Sequence, residues 1–165
     1  MAKRIQIAVI GGREEPPDIL NLAEEAGRRI ARAGAVLVCG GLGGVMEAAC
    51  RGARDAGGIT LGILPGGRAD DANAYVDVAV PTGMGIARNA LVIHASDGVI
   101  AVGGSYGTLS EMAFALQKRI PLVSLRSWKP DDTVPVASTA DEAVEFILRS
   151  IKSSRFKEGT SGVGV

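Results

Sequence analysis

The chain has 165 residues, 47% hydrophobic and 22% charged, which suits one globular domain that buries roughly two-thirds of its unfolded surface. Its 18 Lys and Arg balance 18 Asp and Glu, excluding the basic surplus of a nucleic-acid binder or of a protein held on an anionic membrane. Cys39 and Cys50 are too few for a disulfide framework and lack the further Cys/His spacing of a zinc site, so free thiols in a reducing compartment are expected.

The β-branched run Ile5–Ile10 is the first predicted strand. It is too short for a secretory signal core, and no stretch reaches the roughly 18–20 apolar residues of a membrane span, so a cytoplasmic location is expected. Ile19, Leu22, Ala23, Ala26 and Ile30 then recur at helical spacing. A strand over Ala35–Cys39 precedes a second helical stripe of Met46, Ala49, Cys50 and Ala53. Ile59–Leu64 and Val76–Val80 read as strands flanking the Gly- and Asp-rich surface loop Pro65–Asn73.

Ala87, Ala90, Leu91 and His94 give a third stripe, in which the single histidine is expected as a hydrogen-bonded core imidazole. The strand Val99–Val102 leads to a fourth stripe of Leu109, Met112, Ala113 and Leu116. A strand at Leu122–Leu125 and a loop at Arg126–Pro135 come before the last helix, marked by Ala140, Ala143, Val144, Ile147 and Ile151 and opened by the capping box Thr139–Glu142. No apolar stripe continues past Ile151, so residues 1–151 are expected to fold as one domain and Lys152–Val165 to be a mobile tail. Six strands, apolar along their length and alternating with helices, predict a single-domain α/β Rossmann-like three-layer sandwich with a mainly parallel sheet.

In such sheets ligands bind beyond the carboxyl ends of the strands, and phosphates prefer helix N-termini reached through glycine loops. The first loop, Gly11–Pro17, lacks G-x-G-x-x-G and carries Glu14 and Glu15, which would repel a phosphate. The second, with Gly40, Gly41, Gly43 and Gly44, and the third, with Gly103, Gly104, Ser105, Tyr106, Gly107 and Thr108, each join a strand to a helix and are candidate anion cradles. These glycines would also serve simple tight turns. Neither loop has the Gly-Lys-Ser/Thr of a nucleoside triphosphatase.

Arg88 stands near the start of a helix, where the macrodipole disfavours a cation, so a ligand phosphate or Glu111 is expected to offset it. Glu111 follows Thr108 by three residues and would complete a capping box worth roughly 1 kcal/mol. Glu47 fits a favourable carboxylate in a first helical turn, while Asn73, Tyr75 and Asp97 suit loop and rim. No Ser-His-Asp or metal cluster stands out.

The segments Gly40–Glu47, Gly62–Gly66, Thr82–Asn89 and Gly103–Glu111, taken in this order, resemble the LONELY GUY-like superfamily. The likeness runs from about Ile5 to Leu125 and is closer to the branch containing molybdenum-cofactor carrier proteins. It implies a homodimer or higher homo-oligomer and a phosphorylated small molecule as partner, either an AMP-like nucleotide or the molybdenum cofactor. The superfamily's phosphoribohydrolases cleave nucleoside 5′-monophosphates with an arginine and a glutamate, which fall on Arg88 and Glu111, and need no cofactor. Here their P-G-G-x-G-T-x-x-E motif reads Val102-Gly103-Gly104-Ser105-Tyr106-Gly107-Thr108, and their Arg-Lys pair reads Arg88-Asn89. Binding without turnover is therefore the first expectation, with hydrolysis through Arg88 and Glu111 as the alternative. An older lysine decarboxylase label for the superfamily is rejected, because none of Lys3, Lys118, Lys129, Lys152 and Lys157 lies in a glycine loop where a pyridoxal Schiff base would form.

Overall fold

The computed structural model describes residues 3–160, with side chains through Ser154. Seven strands form one parallel sheet: β1 (Gln6–Gly11), β2 (Val36–Cys39), β3 (Thr60–Leu64), β4 (Val78–Pro81), β5 (Gly98–Val102), β6 (Leu122–Leu125) and β7 (Val136–Ala137). Their spatial order is β4-β3-β2-β1-β5-β6-β7. The chain builds outward from β1 to β4, returns to pair β5 with β1, and then builds the other way. The reversal between β1 and β5 is the switch point at which open α/β sheets bind ligands.

The unbroken apolar character of the strands follows from burial on both faces. Ile7 and Val9 of β1, with Ile100 and Val102 of β5, enter one core, while Ala8, Ile10, Val99 and Ala101 enter the other. The first core lies under α1 (Pro17–Arg32), α2 (Val45–Asp55) and α5 (Ala140–Thr160), and the second under α3 (Asn89–His94) and α4 (Tyr106–Gln117). A seventh strand joins the six expected, because β7 has two residues, too few to display a period. Among the described residues no helix is long and apolar enough to cross a membrane.

Glycine sets the spacing between α1 and α2. A methyl group at Gly52 would fall on the Glu24 carbonyl, and one at Gly27 on the Ala49 carbonyl. Gly52→Ala should gain up to about 1 kcal/mol of helix propensity and lose about 1–3 kcal/mol to overpacking. A net destabilisation is expected, measured as a lower urea midpoint at unchanged slope.

The apolar stripes of α1, α2 and α5 lie as expected, apart from half-buried Leu22, but those of α3 and α4 are rotated. A 3₁₀ turn over Gly85–Arg88 runs into α3, so a 3.6-residue period counted from Ala87 loses phase. The buried residues of α3 are Asn89, Val92 and Ile93, and His94 is exposed at its C-terminus rather than in the core. On α4 the buried residues are Thr108, Glu111, Met112 and Ala115, two of them polar.

The α4 helix begins at Tyr106, so Thr108 is its third residue and Glu111 cannot complete a capping box there. At α5 the expected cap forms, with the Glu142 amide donating to Thr139 Oγ1 at 3.2 Å, while the Glu142 carboxylate takes the amide of Ser138. That helix continues through Thr160, so the expected tail from Lys152 is helical as far as Thr160, and residues 161–165 lie outside the described residues.

Candidate functional site

A cavity of about 300 Å³ opens beyond the carboxyl ends of β1, β2 and β5, at the switch point. That is the lower end of the roughly 300–1,000 Å³ typical of small-molecule sites. Five loops wall it: Gly11–Arg13 at the end of β1, Gly40 and Leu42 after β2, Pro65 after β3, Gly85, Ile86, Arg88 and Asn89 after β4, and Ser105, Gly107 and Thr108 after β5. The wall after β4 is held over the cavity by backbone bonds from Gly83 to the Gly66 carbonyl at 2.9 Å and from Gly85 to the Pro65 carbonyl at 3.0 Å.

Arg88 lies inside this wall, only 7% exposed. Its Nη1 donates to Asn89 Oδ1 and its Nη2 to the Gly40 carbonyl at 3.3 Å, but its buried Nε has no partner. Asn89, itself buried, passes the connection on by donating from Nδ2 to Ser110 Oγ at 3.1 Å. Burial lowers the Arg88 pKa, Glu111 and Cys39 oppose that shift, and the nearby Arg13 charge adds to it. Arg13 lines the same cavity.

Glu111 reaches the cavity from α4 and is 6% exposed. Burial pushes its pKa up to about 8 from 4.5, and the Arg88 charge only partly opposes this through space. No ion pair within 4 Å joins the two among the described residues, and burial favours the protonated form of the carboxyl. The buried guanidinium therefore has no carboxylate in direct contact to neutralise it, an arrangement that favours an incoming anion.

The first turn of α4 supplies the remaining donors. Ser105 occupies the N-cap without closing the turn through its side chain, and Ser105, Gly107 and Thr108 line the cavity. First-turn amides lack helical acceptors, so they add positive potential where Arg88 already points.

Of the residues expected to bind, Arg88, Glu111, Gly40, Ser105, Gly107 and Thr108 come together around this cavity. Gly41, Gly43, Gly44, Gly103, Gly104 and Tyr106 do not line it. The β2 loop spends its groups on the fold: the Gly41 amide donates to Cys39 Sγ at 3.3 Å, Asn73 ties down the Gly41 and Leu42 carbonyls, and Val45, the first residue of α2, donates to the Gly12 carbonyl at 3.0 Å. Gly44 has φ 66°, and a Cβ there would strike the Gly12 and Arg13 backbone. The second loop thus shapes the wall more than it offers amides. Cys39 and Cys50 are free, buried and 3.4 Å apart, sulfur to sulfur, behind that loop.

The third loop is also used differently from expectation. The Gly104 amide donates to Glu15 Oε1 at 2.6 Å, so an anion already occupies that donor, and it comes from the loop dismissed for its negative charge. Gly11, Gly12 and Arg13 of that first loop line the cavity, while Glu14 and Glu15, the residues expected to repel a phosphate, do not. Gly103 and Gly104 open instead onto a neighbouring cavity beside Trp128, and Tyr106 stacks on Trp128 at the rim. Sequence reasoning missed Arg13, Asn89 and Glu15. The change from Arg-Lys to Arg88-Asn89 was the one available signal, and it concerned Asn89.

The family model described as the SLOG cluster4 family matches residues 4–153. An uncharacterised protein of Archaeoglobus fulgidus is 42% identical over 148 residues, 90% of this chain and 97% of its own. The structure of the molybdenum cofactor binding protein from the phototrophic bacterium Rippkaea orientalis superposes with a TM-score of 0.86 at 36% identity, covering 92% of this chain and 99% of that one. The molybdenum cofactor carrier protein of Chlamydomonas reinhardtii does so with a TM-score of 0.83 at 32% identity over the same shares.

Proposed function

The chain belongs to the SLOG cluster4 family, and from that premise we propose that it binds and carries a phosphorylated pterin or nucleotide, with the molybdenum cofactor as its cargo. The observation that carries this reading is the buried Arg88, whose Nε has no hydrogen-bond partner and which no carboxylate meets within 4 Å among the described residues. A phosphate monoester supplies both missing elements, a charge and several acceptor oxygens. Arg88, the first-turn amides of α4 and the protonated Glu111 hold the phosphate, while Arg13 screens its remaining charge. When bound, the cofactor supplies the molybdenum and dithiolene chemistry that a carrier keeps for its recipient. Likeness to a cofactor-binding protein and a cofactor carrier supports the choice of cargo.

The hydrolytic alternative finds less support. Among the described residues Glu111 is the only acidic residue lining this cavity, so hydrolysis would rest on that one carboxyl. Burial favours the protonated form of that carboxyl, which lacks the negative charge that would stabilise an oxocarbenium ion.

The test is binding and turnover with AMP and adenosine. AMP is expected to bind at least about tenfold more tightly than adenosine, since charge-assisted bonds contribute roughly 1.5–3 kcal/mol each, and to be recovered intact. Equal affinity for the two overturns the phosphate site. Adenine released by the wild type but not by Glu111→Gln establishes the hydrolase and overturns the carrier. Native mass spectrometry of undialysed protein from cells making the cofactor is then expected to show a phosphorylated pterin mass.

A further inference from the structure

The second cavity, of about 370 Å³, shares the β5–α4 loop with the first. Gly103 and Gly104 face the second, Ser105 and Gly107 the first, so the two are separated by a single turn of backbone. On this ridge stand two aromatic rings that serve no core. Tyr106 is 81% exposed and Trp128 38% exposed, and they stack with centroids 5.9 Å apart and planes inclined by 29°. The Trp128 loop is clipped to the ligand loop twice: Trp128 Nε1 donates to the Ser105 carbonyl at 3.1 Å, and Ser127 Oγ donates to the Gly103 carbonyl. With its one polar atom satisfied, the indole offers only ring surface, and the pair forms an exposed apolar step on the loop that separates the two cavities.

Glu15 lines the second cavity beside this step. Its Oε1 is fixed by the Gly104 amide at 2.6 Å, and a Cβ on Gly103 would lie 2.9 Å from its carboxyl carbon, so a glycine is needed to seat the carboxylate. Its Oε2 has no hydrogen bond among the described residues. A carboxylate positioned in this way accepts parallel N–H bonds from a ring edge.

We propose that Tyr106 and Trp128 are the platform for the planar ring of the phosphorylated ligand, and that Glu15 selects the 2-amino-4-oxo edge shared by guanine and pterins. That edge presents an amino group next to a ring N–H, two donors for one carboxylate. Adenine presents its amino group next to a ring nitrogen lone pair, which a carboxylate repels. This rests on the phosphate reading of the first cavity and deepens it, naming the side chains that hold the ring and the ring edge they select.

The chain has one tryptophan, so its fluorescence reports on Trp128 alone. Ribose 5-phosphate, AMP, GMP and a 6-substituted pterin monophosphate are titrated by calorimetry, and the first three also by fluorescence. Ribose 5-phosphate is expected to bind without quenching, and GMP to bind with quenching and at least about fivefold more tightly than AMP. The pterin arm separates the two sources of the edge: pterin tighter than GMP assigns a pterin, GMP tighter assigns a guanine nucleotide. Trp128→Leu and Tyr106→Ala are expected to shrink the affinity ratio of GMP to ribose 5-phosphate by about 5- to 100-fold, the usual range for a lost stacking contact. Glu15→Gln keeps an acceptor for the Gly104 amide and is expected to abolish the preference for GMP over AMP.

If all four compounds bind equally and the fluorescence does not change, the ring platform is overturned and the phosphate site stands. If ribose 5-phosphate itself fails to bind, the underlying phosphate reading falls. A Trp128→Leu protein that loses self-association in sedimentation while keeping its ligand ratios also overturns the platform, because the aromatic pair is then a subunit contact.

Discussion

Arg88→Met is expected to weaken binding of any phosphate monoester by about 10- to 150-fold while leaving the unliganded protein at least as stable as the wild type. The two halves of this expectation come from opposite sides of one balance. In the free protein Arg88 holds a charge away from water with one weak bond at 3.3 Å, one bond to Asn89 and an unpartnered Nε. Removing a buried, poorly compensated charge recovers several kcal/mol of desolvation, against about 1–3 kcal/mol for each acceptor left without a donor. Methionine fills much of the volume of the arginine stem, which limits any cavity penalty.

In the liganded protein the balance reverses, because the guanidinium meets a dianion and its fork is satisfied bidentately. Losing those bonds costs about 1.5–3 kcal/mol, equivalent to roughly 10- to 150-fold in affinity. Calorimetry with AMP reads the affinity, and thermal melts with and without AMP read the stability. The wild type should melt higher with AMP, and the variant should show a smaller shift at the same AMP concentration. Arg88→Lys tests geometry against charge, since a lysine keeps the charge without the planar fork and should fall between the two. Full affinity in Arg88→Met would show that the phosphate lies elsewhere.

The architecture could be read because its determinants are local. Burial on both faces makes β1 and β5 apolar at every position from Ile7 to Ile10 and from Val99 to Val102, and glycine clusters after β2 and β5 mark the turns. Arg88 and Glu111 were legible through motif order, and the fold brings both to one cavity. What escaped depends on contacts between distant segments. Glu15 meets Gly104 across 89 positions, so a carboxylate that reads as an obstacle to anions acts as the anion satisfying a neighbouring loop. The phase of α4 escaped for another reason. An apolar stripe assumes that a buried face is greasy throughout, whereas this face ends in a cavity and carries Thr108 and Glu111 there. Polar residues on the buried side of an otherwise apolar helix were thus the readable sign of the site, and hydrophobic periodicity discards that sign.

Glu111 should make the protein's stability fall with pH over an unusual interval, and Glu111→Gln should remove that fall. The folded state holds the Glu111 proton up to about pH 8, whereas an unfolded chain releases it near 4.5. Between those values the native state binds more protons than the unfolded state, so the free energy of unfolding decreases as pH rises. The loss begins above about 4.5 and is complete above about 8, on the order of 5 kcal/mol in total for a shift of this size. Glutamine has the same shape and no charge, so wild type and variant should have similar urea midpoints near pH 5. By pH 9 the variant should be the more stable by several kcal/mol. The same ionisation sets ligand affinity. A phosphate monoester becomes a dianion near pH 6, and above about pH 8 it would meet an ionised carboxylate in place of a hydrogen-bond donor. Wild-type affinity should therefore peak between these limits, and Glu111→Gln should keep the acid limb while losing the alkaline one. Parallel pH–stability curves for the two proteins would mean that Glu111 ionises normally, and Arg88 would then be neutralised from within and not by a ligand.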